Sequence, residues 1–146
     1  MKNIFYLCLS LLLCSVASTA QKISGQIIPA AVITALSHQF PKAKHVSWER
    51  ENGNYEANWG GKSGEDNSVQ FSPKGTYVEM EQAISVHSLP AKVIQYVHMH
   101  HKGMAIHEAA RTTDSAGKVT YEAEVSGKDL IFDSSGNFLS TESGTD

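Results

Sequence analysis

Beyond residue 20 the chain contains no cysteine, because its two, Cys8 and Cys14, both lie in the first twenty residues. A chain trimmed there has no disulfide and no thiolate for catalysis or soft-metal binding. Long apolar runs are scarce as well. Ile4 to Leu13 is the main one, and it falls short of the roughly 20 residues a membrane helix takes. No run of Lys or Arg occurs, and after residue 20 eleven basic residues face fifteen acidic ones. Nucleic-acid binding requires a basic footprint, so that class is set aside. Reaction signatures are missing too. There is no G-x-S-x-G elbow. Gly61-Lys62-Ser63 imitates the end of a phosphate loop, but Glu56 stands where that motif demands glycine.

What is present begins with a leader. Lys2 supplies a positive start, Ile4 to Leu13 an apolar stretch, and Ser18-Thr19-Ala20 small residues before a cut. Cys14 follows Leu13, whereas lipoprotein processing prefers a small residue before the lipidated cysteine. The expectation is a signal peptide over residues 1–20 and a periplasmic or secreted chain over 21–146, without a membrane span after cleavage.

The remainder aligns with itself at a spacing of about 61 residues. Ile28-Pro29-Ala30 matches Leu89-Pro90-Ala91, Tyr55-Glu56-Ala57 matches Tyr121-Glu122-Ala123, and Val69-Gln70-Phe71 matches Leu130-Ile131-Phe132. The units cover about 26–82 and 87–142. Each opens with a helix whose first turn tolerates Pro29 or Pro90. Val32, Leu36 and Phe40 form one apolar stripe, and Val93, Val97 and His101 occupy the same positions in the second unit. Strands follow, because Tyr55, Ala57 and Trp59 alternate with Glu56 and Asn58, and Tyr121 and Ala123 alternate with Thr120, Glu122 and Glu124. The predicted fold is α+β: two tandem helix-plus-four-strand antiparallel repeats packed as one domain, since a unit of about 60 residues buries little core alone. In this scheme Tyr55 and Tyr121 are buried. Glu56 and Glu122 are solvated, with no desolvation to tune a pKa.

The doubled pattern, with Phe40-Pro41-Lys42-Ala43, Val46-Ser47-Trp48-Glu49, Asn54-Tyr55-Glu56-Ala57 and Phe132-Asp133-Ser134-Ser135-Gly136-Asn137, resembles the PepSY-like proteins exported by Bacteroidetes. These are grouped with the β-lactamase-inhibitor-protein fold, so the resemblance implies that fold and, by analogy of fold, a binding or inhibitory role. It brings no catalytic residues. His101 departs from the aromatic residue usual at that helix end.

Three chemistries compete for the site. His98 and His101 share a helix face and His107 lies just beyond, a weak candidate set for zinc or copper, which need three or four converging ligands. Asp133, Gly136 and Asn137 partly echo a calcium loop but lack its oxygen spacing, and turn chemistry accounts for them. Glu56, Glu122 and Glu124 offer carboxylates for an acid/base pair. The reading preferred is a non-enzymatic binding or inhibitory module with no cofactor, whose partner is an envelope or extracellular protein. Its surface is taken to be the wet sheet face, with Glu56, Asn58, Thr120, Glu122 and Glu124, together with the loop after Trp59 that carries Lys62. A histidine-based cation binder and an enzyme with an acid/base pair are the alternatives.

Overall fold

The computed structural model describes residues 21–22 and 28–143; the leader, with Cys8 and Cys14, lies outside the described residues. The chain runs β1 (Gln21–Lys22), α1 (Ala30–Gln39), β2 (Ser47–Glu51), β3 (Asn54–Trp59), β4 (Asn67–Phe71) and β5 (Tyr77–Ala83). A single 3-10 turn (Val86–Ser88) leads to α2 (Ala91–His100), then β6 (Ala109–Asp114), β7 (Val119–Glu124), β8 (Lys128–Asp133) and β9 (Phe138–Ser143). Each helix is therefore followed by four strands. Among the described residues, all nine strands form one antiparallel sheet in sequence order, and β5 pairs directly with β6 although α2 lies between them in the chain.

The helices start and stop for reasons visible in the residues. Pro29 and Pro90 sit at the N-caps with extended ψ, 137° and 140°, and no helical N–H is lost there. α1 ends because the residue before Pro41 avoids helical geometry; the Phe40 N–H closes the last turn on the Leu36 carbonyl. α2 ends at His100, and Gly103 reverses the chain at φ +80°.

The core forms in two clusters on one side of the sheet. Under α1, Val32 and Leu36 pack on Tyr55, Ala57, Val69 and Phe71. Under α2, Val93 and Val97 pack on Ala109, Ala123, Val125, Leu130 and Phe132. Cross-strand register assembles both: Tyr55 lies opposite Phe71 and Ala57 opposite Val69, while Tyr121 lies opposite Phe132 and Ala123 opposite Leu130. Phe40 reaches Phe71 at 6.3 Å between ring centres. His101 does not take over that role in α2. Tyr96 meets Phe132 edge-on at 5.4 Å and stacks on Phe138 at 4.7 Å.

One burial expectation fails in the second unit. Tyr55 is buried, but Tyr121 is only half-buried. The difference lies in the neighbouring strand. The Arg50 guanidinium lies over the Tyr55 ring at 5.5 Å, whereas Arg111, opposite Tyr121, turns aside to donate to the Thr113 hydroxyl.

Two hairpins clamp the helix starts. Gly75, between β4 and β5, has φ +77°, and a methyl group there would lie 2.5 Å from the Ala31 carbonyl oxygen. Gly136, between β8 and β9, has φ +78°, and a methyl group there would lie 2.9 Å from the Lys92 Cβ. Glycine thus allows each turn to touch the first turn of its helix. Gly75→Ala is expected to destabilise the fold by about 3 kcal/mol, strain and clash together. Gly117→Ala, at a similar φ of +79° but in open space, should cost about 1 kcal/mol. Urea unfolding of the two variants checks the difference.

Candidate functional site

Because both helices cover one side, period two in the strands consigns alternate residues to the other. Cross-strand pairing turns these into rows. One row runs Glu49, Glu56, Gln70, Glu79 and Asp114 across β2 to β6. The next runs Ser47, Asn58, Ser68, Glu81, Thr112, Thr120 and Asp133 across β2 to β8. A third joins Ala110, Glu122, Ile131 and Ser140, and a fourth joins Glu124, Asp129 and Glu142. From β2 to β9 the described strands place no Lys or Arg on this face. Like charges directly opposite one another destabilise a sheet, so such rows oppose folding wherever their members are ionised.

The carboxylates are not freely solvated, which corrects the sequence expectation for Glu56, Glu122 and their neighbours. Glu122 is half-buried, and burial pushes its pKa up to about 8, helped by the charges of Glu81, Asp129, Glu142 and Glu108. Burial likewise raises Glu81, with Glu56 and Glu79 adding repulsion, although the Thr112 hydroxyl donates to its Oε2 at 3.4 Å. Glu79 is raised by burial and then by Glu51, Glu56 and Asp114. Glu56 is raised by burial, partly offset because its Oε1 accepts from the Ser68 hydroxyl. The physical reason is position. Alternation tells which face a residue occupies, but a residue on an inner strand has neighbours on both flanks that exclude water from it.

The remaining predicted residues divide. Asn58 shares the face but is buried, at 6 % exposure, between Ser47 and Ser68, and its side chain favours the charged form of the Glu56 carboxyl. Thr120 and Glu124 lie half-buried on the face, and the Glu124 Oε1 accepts from the Gly127 N–H at 3.1 Å. Trp59 faces the helix side, 5.7 Å from Phe40, beside a hollow of about 290 Å³ that Phe40, Pro41 and Ala43 also line. It is therefore separated from the acidic face by the sheet itself. Lys62 is exposed in the loop after β3, whose base is tied by the Ala83 N–H donating to the Asp66 carbonyl. Sequence reasoning missed Glu79, Glu81, Asp129 and Glu142. The signal was there in Tyr77–Ala83, where Glu79 and Glu81 alternate with Val78 and Met80, but the repeat comparison drew attention to the matched Tyr-Glu-Ala segments instead.

The histidines do not converge. His98 and His107 are exposed, His101 is half-buried, and the His100 ring stacks on Tyr96 at 4.3 Å. Among the described residues no group of three or more His, Asp or Glu side chains is placed to hold a metal ion. Asp133 serves its turn. Its Oδ1 accepts from the Ser135 and Asn137 N–H groups and its Oδ2 from the Asn137 side chain, which holds its carboxyl below the usual range. No helix among the described residues is long and apolar enough to cross a membrane.

Comparison with known proteins places these features in a family. The model described as "putative beta-lactamase-inhibitor-like, PepSY-like" matches residues 15–61 and 60–140. A solved structure described as "putative periplasmic proteins" from Bacteroides eggerthii is similar at 17% identity and TM-score 0.71, over 81% of this chain and 90% of that one. A BLIP-like protein from Bacteroides fragilis is similar at 22% identity and TM-score 0.61, over 84% and 91%. At these identities the likeness is one of fold. No curated protein matches the chain.

The raised carboxyls give a pH dependence of definite sign. Glu122 has a higher pKa folded than unfolded, so the folded state binds more protons between about 4.5 and about 8. Stability is therefore expected to fall as pH rises through that window. Glu122→Gln should remove much of the slope and stabilise the protein at pH 9 by on the order of 1–3 kcal/mol, after allowing for solvent screening. Thermal unfolding at pH 5, 7 and 9 checks it.

Proposed function

The chain belongs to the β-lactamase-inhibitor-like, PepSY-like family, and from that premise we propose that it is a non-enzymatic binding module acting outside the cytoplasm, whose acidic sheet face takes a partner rich in Lys and Arg. One observation carries this reading: rows of carboxyls lie side by side with no base among them from β2 to β9, held partly out of water. Such a face is costly to the free protein and gains from a cationic surface laid over it, which restores ionisation and removes the repulsion. The leader and the periplasmic description of a fold relative support an envelope or extracellular setting. Inhibition is the form of binding that the family's description suggests.

Charge across such a contact works mainly on encounter. The field steers a basic partner, and salt weakens it, because the screening length at 0.15 M is only about 8 Å. Affinity then rests on apolar anchors supplied by the partner, since Trp59 lies on the opposite side of the sheet. A second reading has one observation in its favour. Glu122 beside ionisable neighbours is how a general acid is kept protonated near neutrality. The hollow of about 570 Å³, however, is on the helix side, lined by α2 residues such as Ile94 and His98, not on the face that carries Glu122.

The test is calorimetry with a ten-residue oligolysine as probe. Binding is expected, weakening at least tenfold between about 0.05 and 0.5 M salt. The measured enthalpy should change with the buffer's ionisation enthalpy, because bound cations expel protons from the face. Glu79→Gln, Glu81→Gln and Glu122→Gln combined should lower affinity at least tenfold. Binding that ignores this triple change overturns the surface; oligolysine failing to bind at low salt overturns the reading.

A further inference from the structure

The last strand is an open edge with two distinct sides. β9 pairs with β8 on one flank, and among the described residues no strand lies on its other flank. The opposite end of the sheet is closed differently, by a β1 of only two residues. Proteins usually blunt a long edge with lysine, proline or a bulge. β9 has neither lysine nor proline, and its register shift, between Ile131 and Phe132, leaves Ser140, Thr141, Glu142 and Ser143 in regular pairing with Ile131, Leu130, Asp129 and Lys128. Two of those four, alternate along the strand, turn their backbone N–H and C=O groups away from β8 and have no strand beside them among the described residues.

The two sides of this edge ask for opposite chemistry. On the helix side the edge begins with Phe138, 37% exposed and stacked on Tyr96, and the bulged Leu139, 50% exposed. On the other side Glu142 stands opposite Asp129, which stands opposite Glu124, at the margin of the acidic face. A strand laid along β9 would place alternate side chains on these two sides.

We propose that β9 is an acceptor edge, to which an extended partner segment alternating apolar with Lys or Arg residues adds as a further strand. Its apolar residues cover Phe138 and Leu139, and its cations lie beside Glu142. Backbone pairing supplies affinity and the alternation supplies selectivity, as in other strand additions. A second copy of this chain is the poorer occupant, because β9 against β9 would bring two acidic faces together edge to edge, with a Glu142 from each. The proposal rests on the cation-binding reading of the acidic face and adds the mode of docking.

Two ten-residue peptides of identical composition separate the claims: one alternates lysine with valine, the other carries five lysines followed by five valines. Both are titrated into the mature chain, with backbone amide exchange followed by NMR. The alternating peptide is expected to bind at least tenfold more tightly than the block peptide and to slow exchange at the amides of residues 140–143 that point away from β8. Glu142→Lys, an exposed position where the fold tolerates change, should erase that preference. Equal binding of the two peptides without protection of β9 overturns the acceptor edge while leaving the acidic-face reading intact. If neither binds, both are overturned. Sedimentation of the free protein as a dimer whose outward-pointing β9 amides are already protected also overturns the edge proposal.

Discussion

Register is the constraint on which the rest of this molecule depends. In a sheet of strands that alternate strictly, a slip of one residue moves every apolar side chain to the polar side and every carboxyl under a helix. The slip is prevented by a few bulky residues with no alternative site. Phe71 and Phe132 are fully buried, each opposite an aromatic on the neighbouring strand and each met edge-on by a ring from the helix above, Phe40 or Tyr96. The hairpins that follow these phenylalanines carry Gly75 and Gly136 back against the helix starts. Helix, strand and turn are thus fixed at one point in each half. The acidic rows on the far side are a consequence, because residues two apart on each strand cannot leave the face their neighbours dictate.

Much of this was legible in the sequence because it follows from local rules. The prolines at the helix starts, the stripe of Val32 and Leu36, and the alternation through Tyr55-Glu56-Ala57 all have direct structural meaning. What escaped reading depends on partners far away in the chain. Nothing near Asn58 indicates that Ser47 and Ser68 will close over it. Nothing in Val119–Glu124 indicates that Arg111 will leave Tyr121 half-covered, while Arg50 shields Tyr55. The candidate site was half legible for the same reason. Alternation puts Glu56 and Glu122 on the free face, but their depth is set by flanking strands, and the charges that act most strongly on Glu122 come from Glu81 on β5 and Asp129 on β8. A carboxyl's face can be read from its own strand; its pKa cannot.

The face also bears on why the fold carries such a repulsive arrangement at all. Stability is served by a free sheet face of mixed charge, as cross-strand pairs of opposite sign contribute and like pairs subtract. Here Glu49 lies opposite Glu56, and Glu124 opposite Asp129 opposite Glu142. Neutral donors relieve part of the strain: the Ser68 hydroxyl donates to Glu56 and the Thr112 hydroxyl to Glu81, and the Gln70 amide donates to Glu51 at 2.9 Å. These donors lie on the same face as the carboxyls they serve, so they lessen the cost without supplying a positive charge. Local rules elsewhere in the protein agree with one another, and the places where they are broken are where function is expected.

Proton occupancy links this electrostatic state to binding. A carboxyl with a pKa near 8 is mostly protonated at neutral pH, so Glu122 then acts as a hydrogen-bond donor as well as an acceptor. Its neighbours on the face ionise more easily when it is neutral, since its charge is one of the repulsions they would feel. An approaching cation reverses this order. It lowers the cost of ionisation for the whole group, draws the proton off Glu122, and becomes held by more charge than the free face carries. With Glu122 protonated, the free protein presents one negative charge fewer on this face than its composition suggests. On the binding role proposed above, such a surface would discriminate against dilute small cations, which neutralise one or two carboxyls, and favour a partner that brings several positive groups at the spacing of adjacent strands.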